Sequence, residues 1–427
     1  MRKLVGLVVL VLVGSLQSSS VAAAPPGTAG PPPVVTCRTD PVAPAFSVEL
    51  CVTLPAPEDR GGQRLRVASS VRITGAAPPV NGIGFRLDGT YLLFDPQQPY
   101  TFLLHPYRYG AGAHTLTASV AFSGGSASPP LDVPLELPTP APAPPPPAPF
   151  RPNPGSDPAP GQPFVVAAVG DGASGLSAEG EVVDLIASWH PSLFLYLGDV
   201  YAQGAPEEYL NWYGEDGALF SRFRSITDPT LGNHEFESDR AGTPWAEYWG
   251  DPPPYYSVDT HGWHVVVLDD AGPATSLSTE GPEYRWLAAD LDAHPDPCTL
   301  VTYHRPRFTE GGRGETATDM DAFWRLLAGH HVPIVLNGHS HNYQRWSELD
   351  ADGAPVGSGG TTQFVVGTGG QWTSPLQVED PRVAADLQSS KAWGALRLEL
   401  TATGAHYRYI TVTGGTKDAG TVPCAGS

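Results

Sequence analysis

A chain of 427 residues is longer than one small core needs and predicts two domains. With 41% apolar and 16% charged residues it can bury real cores, which excludes global disorder. Acidic side chains outnumber basic ones 44 to 24, and a formal charge of −20 argues against binding a nucleic-acid backbone or an acidic membrane surface.

Arg2 and Lys3 precede an apolar run, Leu4 to Val13, and the small-residue stretch SVAAA, the layout of a secretory signal peptide over 1–23. That run is too short to span a bilayer comfortably, and no later stretch reaches the roughly 18 apolar residues a membrane helix needs. A secreted protein, extracellular or envelope-associated and without a membrane span, is expected. Residues 24–34 read as a flexible N-terminus. Export and an even cysteine count predict disulfides among Cys37, Cys51, Cys298 and Cys424. Three connectivities are open, and one bridge within each domain is preferred. No Cys-x-x-Cys is present to support thiolate zinc or redox chemistry.

The front domain, 35–137, contains FSVELCVT, RLRVASSVRIT, GIGFRLDG, TYLLFD, YTFLLH, HTLTASVAF and LDVPLEL. These seven short β-rich runs, separated by Gly, Pro and Asp turns, predict a small all-β sandwich. The stretch from Val80 to Val120 resembles bacterial immunoglobulin-like modules, which implies a spacer or a binding module with a surface or polymer ligand. Asp88 and His114 fall at a turn and a strand start and are read as satisfied surface residues. Between 138 and 163, 13 of 26 residues are proline, which predicts an extended interdomain spacer.

The back domain, 164–427, alternates differently. FVVAAVG and LFLYLG are continuous apolar runs with a helical stretch, GEVVDLIASW, between them, which is a βαβ unit. WHVVVLD, TLVTYH, PIVLNG and TQFVVGTG read as further strands, PEYRWLAADLDAH and MDAFWRLLAGHH as helices, and GALRLELTA and AHYRYITV as an antiparallel close. An α/β domain with mixed sheets is predicted.

Polar residues follow the apolar runs in five blocks: Asp171, Asp199, Asn233 with His234, His304, and His339 with His341. Carboxyl ends of strands in open α/β sheets converge at a crevice, so these residues can meet. Three imidazoles with oxygens from Asp171, Asp199 and Asn233 suit a pair of borderline ions such as Fe, Zn or Mn rather than Ca or Mg alone. Each block is weak by itself, since a GD pair is an ordinary turn and a lone histidine is more often structural.

The ordered set GDG, GDVY, GNHE, HRPRF and GHSHNYQR is stronger. On it the chain resembles the calcineurin-like metallophosphoesterases, and within them the bacterial proteins similar to purple acid phosphatases, over nearly all of 163–427. The resemblance implies an αββα sandwich with mixed sheets. It also implies one metal ion held by Asp171 and His341, a second held by Asn233, His304 and His339, and Asp199 bridging them.

The family's tyrosine lies three positions after the second aspartate, whereas Tyr201 comes one residue early. It is either a ligand favouring ferric iron, paired with Zn or Mn, or a cleft-lining aromatic beside two divalent ions. Ala173 stands where a second glycine is usual. His234 is expected to be catalytic, hydrogen-bonding the leaving oxygen or the transferring phosphoryl group, with a bracing role beside Glu235 as the bland alternative.

Two cations about 3.5–4 Å apart acidify a shared water and brace both oxygens of an in-line displacement, so a metal-held hydroxide is the expected nucleophile. Their charge exceeds that of two aspartates and makes the site locally cationic, which attracts phosphate esters.

His330 and His331 read as helix-closing residues. Tyr343 and Arg345 read as supports for the loop of His339 and His341, and His261 and His264 as structural. No G-x-S-x-G elbow and no Walker loop is present. A secreted phosphomonoesterase is expected. A phosphodiesterase on the same centre and a surface-binding protein with a degenerate metal domain are the alternatives, and the complete ligand blocks oppose the last.

Overall fold

The structure, a computed structural model, describes residues 33–43, 45–54, 64–140, 142–215, 217–295, 298–311, 316–387 and 392–424. The expected signal peptide, and the expected flexible N-terminus except for residues 33 and 34, lie outside the described residues.

The front domain is built from Val34–Ala43 (β1), Phe46–Leu54 (β2), Leu65–Gly75 (β3), Val80–Leu87 (β4), Thr90–Asp95 (β5), Tyr100–Leu104 (β6), Gly112–Phe122 (β7) and Leu131–Leu137 (β8). They form two antiparallel sheets, β1-β2-β3-β6 and β5-β4-β7-β8. Alternate residues of β2, β7 and β8 are buried, so each sheet turns one apolar face inward, as a sandwich requires. The sequence reading counted seven strands. The eighth, β1, is largely exposed and lacks apolar alternation, which is why periodicity missed it. Among the described residues its one paired strand is β2, and Cys37 lies opposite Cys51, to which it is disulfide-bonded. Asp88 accepts hydrogen bonds from the His114 ring and the Thr115 N–H, a satisfied turn.

The back domain stacks two mixed sheets. The first uses Phe164–Val169 (β9), Leu193–Tyr196 (β10), Thr227–Pro229 (β11), Gly394–Thr401 (β19), Gly404–Thr411 (β20) and Thr416–Pro423 (β21) in the order β11-β10-β9-β19-β20-β21. The second uses Tyr256–Thr260 (β12), Trp263–Val267 (β13), Thr299–Thr302 (β14), Ile334–Asn337 (β15), Tyr343–Trp346 (β16), Thr362–Val366 (β17) and Val383–Leu387 (β18) in the order β12-β13-β14-β15-β17-β16-β18. β9–β10–β11 and β13–β14–β15–β17 run parallel, and all of them except the three-residue β11 are continuous apolar runs of the sequence, which parallel strands covered on both faces require.

Alternation assigns the faces. Val265, Leu300 and Leu336 join the core shared with the first sheet, whereas Val266, Val301 and Val335 pack outward with Leu287, Leu291 and Phe323 of helices Pro282–Ala293 and Asp321–Gly329. Helix Ser177–Ala187 buries Val182, Val183 and Ile186 on the other side, completing the αββα sandwich. Cys298, just before β14, is bonded to Cys424, just after β21, and ties the two sheets together.

The proline-rich segment lies against the back domain rather than hanging between domains. Its non-proline residues supply the N–H groups that prolines lack: Phe150 donates to Gly250 O, Asn153 to Asp228 Oδ1 and Ser156 to Ser192 O. Across the joint, buried His105 of the front domain bonds Glu207 at 2.6 Å through Nδ1 and Glu215 at 3.2 Å through Nε2, and Tyr109 donates to Glu207 at 2.9 Å.

Burial opposes the charge on His105, but Glu207 and Glu215 outweigh it and raise the ring to about 9. An imidazole of raised pKa stabilises the fold fully below its unfolded value of about 6.5, and that contribution disappears as pH climbs through the folded value. The difference in unfolding free energy between wild type and His105→Gln is therefore expected to shrink by on the order of 3 kcal/mol between about pH 6 and about pH 9.5. Urea titrations at both pH values measure it, and an unchanged difference refutes the assignment.

Candidate metal centre

The five blocks sit at the carboxyl ends of five strands: Asp171 after β9, Asp199 after β10, Asn233 after β11, His304 after β14, and His339 and His341 after β15. Three of these strands belong to one sheet and two to the other, so the residues meet where the two sheets open at the same edge. Asp199, Tyr201, Asn233, His234, His339 and His341 line a cleft of about 180 Å³. Asp171 and His304 are fully buried at its base.

The backbone at this edge is held in unusual conformations. Asp171, Asp199 and His339 have φ of 58°, 69° and 65°, a left-handed region that costs non-glycine residues on the order of 1–3 kcal/mol each and persists where function or packing demands it. The glycines before them are set by crowding. A Cβ on Gly198 would stand 2.6 Å from His304 Nδ1, and one on Gly338 would stand 2.6 Å from Asp171 Oδ2; on Gly232, before Asn233, it would stand 2.2 Å from Asp199 Oδ1. Ala173 is buried and accommodated, its N–H donating to the Tyr196 hydroxyl.

The hydrogen bonds fix the tautomers. His304 Nδ1 lies 2.8 Å from the Leu197 carbonyl, which can only accept, so Nδ1 carries a proton. Its Nε2 then faces Asp199 Oδ2 and Asn233 Oδ1, each at 3.2 Å. His341 repeats the arrangement, with Nδ1 on the Trp372 carbonyl at 2.9 Å and Nε2 3.3 Å from Asp171 Oδ1. Each ring turns its Nε2 toward carboxylate oxygens, a place that a proton fills in the free protein and a metal ion can take instead. Two such places exist, and the N and O donors there fit two borderline ions. Asp199, His304 and His339 offer ligand atoms all within 4.8 Å of one another.

The Tyr201 hydroxyl lies between these two places, 2.7 Å from Asp171 Oδ1, 3.0 Å from Asp199 Oδ2 and 2.7 Å from His341 Nε2. His339 donates its N–H to Asp171 Oδ2 and sets its ring 5.0 Å from that of His304. His234 donates its N–H to Asp199 Oδ1 and its Nδ1 to the Ala202 carbonyl, which leaves Nε2 toward the cleft, 3.9 Å from Asp199 Oδ2.

Charge follows from this crowding. Burial works against the ionised Asp199, but His304 and His234 outweigh it and hold the carboxyl well below the usual range. Burial also opposes charge on His304, which Asp199 nevertheless raises to about 10, whereas burial and the charge on His304 push His339 down to about 4.

Sequence reasoning missed two kinds of residue. Buried Asp270 accepts the N–H groups of His304 and Arg305 at 2.8 and 2.9 Å. It too follows an apolar run, VVVLDD, so the strand-end rule that found the others also reaches it. The carbonyls of Leu197, Ala202 and Trp372 that orient the histidines carry no residue signature. Tyr343 and Arg345 both bond Asp418 and so tie β16 to β21.

Two other features do not compete with this centre. Asp259, His264 and His294 cluster at the β12–β13 edge, but the two rings are stacked 4.0 Å apart at 15°, so their lone pairs run parallel instead of converging. His261 stacks on Phe164. A larger cavity of about 730 Å³ lies at the domain joint, where Arg108 is paired with Glu247 and Arg224 lies over Tyr248.

Residues 164–343 match the calcineurin-like phosphoesterase family. Purple acid phosphatase 22 of Arabidopsis thaliana is 32% identical over 138 residues, 28% of this chain and 31% of that protein. Purple acid phosphatase 15 of the same plant is 27% identical over 282 residues, 54% of this chain and 52% of its own length. The chain thus spans between about a third and about half of these relatives. The purple acid phosphatase from yellow lupin (Lupinus luteus) seeds shares the fold, with a TM-score of 0.52 at 13% identity over 92% of this chain and 75% of that one. Motif order, strand-end geometry and these matches agree that residues 164–343 form a calcineurin-like phosphoesterase domain related to the purple acid phosphatases.

Proposed function

We propose that this protein hydrolyses phosphate monoesters at a dinuclear metal centre. The observation that carries the reading is the pair of buried imidazole Nε2 atoms, on His304 and His341, that each face a carboxylate oxygen, with Nδ1 turned away onto a carbonyl. Asp171 and His341 would hold one ion, Asn233, His304 and His339 the other, and Asp199 would contact both. The chemistry such a pair supplies when bound is Lewis acidity toward phosphoryl oxygens and water.

The chain's own residues do the rest. Leu197 and Trp372 carbonyls keep the imidazoles aimed inward, and the buried base of the cleft keeps bulk water from the carboxylates. His234 is anchored through its N–H and Nδ1, so its Nε2 can hand a proton to the departing ester oxygen. The meeting of the Tyr201 hydroxyl with Asp171, Asp199 and His341 supports the ligand role, and with it ferric iron in one position. Two disulfides fit an oxidising compartment, and we place the protein outside the cytosol. Among the described residues no helix is long and apolar enough to cross a membrane.

Purified protein is expected to contain two metal ions per chain by elemental analysis. Asn233→Ala and His339→Ala should each lower kcat/KM for para-nitrophenyl phosphate by about 100-fold or more even in excess metal. Unchanged hydrolysis in both sinks the assignment. A visible charge-transfer band that disappears in Tyr201→Phe is expected, and a colourless, fully active wild type would exclude the phenolate bond. Para-nitrophenyl phosphate should be turned over faster than its bis-aryl diester; the reverse order makes the enzyme a diesterase.

A further inference from the structure

The stretch 201–205 carries two groups of the site, the Tyr201 phenol and the Ala202 carbonyl that fixes His234, yet it belongs to no helix or strand. Besides backbone bonds from Tyr201 N–H to the Ala173 carbonyl and from Ser238 N–H to the Gln203 carbonyl, it is held by Glu208, whose side chain is fully buried. That carboxylate accepts the N–H groups of Ala202, Gln203 and Ala205 at 2.6, 2.9 and 2.9 Å. A further bond comes from the other domain, where the hydroxyl of Tyr91 on β5 donates to Glu208 Oε1 at 2.6 Å. Gly204 packs so tightly that a Cβ there would stand 2.7 Å from both Glu235 Cα and the His234 carbonyl oxygen, so any shift of the loop presses directly on the His234 turn.

We propose that Tyr91 and Glu208 are positioning residues, and that through the Tyr91 hydroxyl the front domain locks the loop that aims His234 at the leaving oxygen. The front domain is then a working part of the hydrolase in addition to any surface it binds. This rests on the role given to His234 above. Removing the Tyr91 hydroxyl leaves a buried carboxylate short of one donor. The carboxylate re-aims, the three N–H bonds loosen, and the Ala202–His234 bond that orients the ring loosens with them. Proton delivery matters most when the leaving oxygen is basic: an alkoxide needs the proton, whereas a para-nitrophenolate departs without it.

The full chain carrying Tyr91→Phe, Glu208→Gln, Tyr109→Phe or His234→Ala is assayed with an alkyl phosphate and with para-nitrophenyl phosphate, alongside metal content and thermal midpoint. Tyr91→Phe is expected to keep two metal ions and to lower kcat on the alkyl ester about tenfold with KM unchanged, but on the aryl ester by no more than about twofold. Glu208→Gln should show the same discrimination, larger. Tyr109→Phe removes a phenol–carboxylate bond across the same joint, to Glu207 at 2.9 Å, and should leave the ratio of the two substrates unchanged. Equal losses on both substrates in Tyr91→Phe, or the same discrimination in Tyr109→Phe, overturn the proposal. A His234→Ala variant that does not discriminate overturns the role of His234 and this proposal with it. Discrimination in His234→Ala but not in Tyr91→Phe overturns the positioning role alone.

Discussion

At the centre of this protein, carboxylate oxygens and imidazole nitrogens are pressed together out of water. Neutral donors meet part of the demand, since Asp171 takes the His339 N–H and Asp199 the His234 N–H, but no backbone group can sit between His304 Nε2 and Asp199. A buried charge cluster of this kind needs compensating positive charge, which protonated imidazoles or bound cations can supply. The left-handed backbone at Asp171, Asp199 and His339, and the glycines without room for a Cβ, are the local conformations through which the chain brings these acceptors close enough to share them.

Holding such a cluster without collapse falls to four other buried carboxylates behind the ligand loops that follow β9, β10, β11 and β14. Glu179 collects the N–H groups of Ser174 and Gly175 behind Asp171. Glu235 collects those of Gly232, Asp199 and Val200. Asp270 collects those of His304 and Arg305, and Glu208 those of Ala202, Gln203 and Ala205. Loops leaving a parallel sheet have no ladder to pair with, and a side chain that accepts several N–H groups at once substitutes for one. Part of the chain's acidity is thus internal. Burial lifts these carboxyls, Glu235 to about 7 and Asp270 to about 6, while the N–H groups they gather draw them back.

The elements legible in the sequence were those whose burial leaves a periodic trace. β9, β10, β13, β14, β15 and β17 are buried along their whole length and were read as apolar runs, and Pro282–Ala293 and Asp321–Gly329 as helices. β1 and β21 are mostly exposed, no residue of β18 is fully buried and β11 is three residues long, so none of them carries that trace; helix Thr243–Trp249 buries Trp245, Tyr248 and Trp249 on one face but is only seven residues long and has no side-chain cap. In the site, every residue chosen for its position after an apolar run reaches the cleft or its base. What stayed hidden was the bracing. Carbonyls have no identity in a sequence, and Glu208 lies in a short, irregular AQGAPEEY stretch where one acidic residue looks like another.

Tyr201 shows why spacing along a chain and spacing in space part company here. Counted from Asp199 it arrives a residue early, which in a regular strand would point the ring to the opposite face. But β10 ends at Tyr196, and the path beyond it is set by the left-handed turn at Asp199, by the Tyr201 N–H on the Ala173 carbonyl and by Glu208 gathering the next N–H groups. A path fixed by tertiary bonds can absorb one residue more or less, provided its ends are pinned. Both ends of this one are pinned by the back domain, and its middle reaches, through Glu208, to a phenol of the front domain. The path of this ligand loop is therefore set by bonds from outside it, one of them reaching Glu208 from the neighbouring domain.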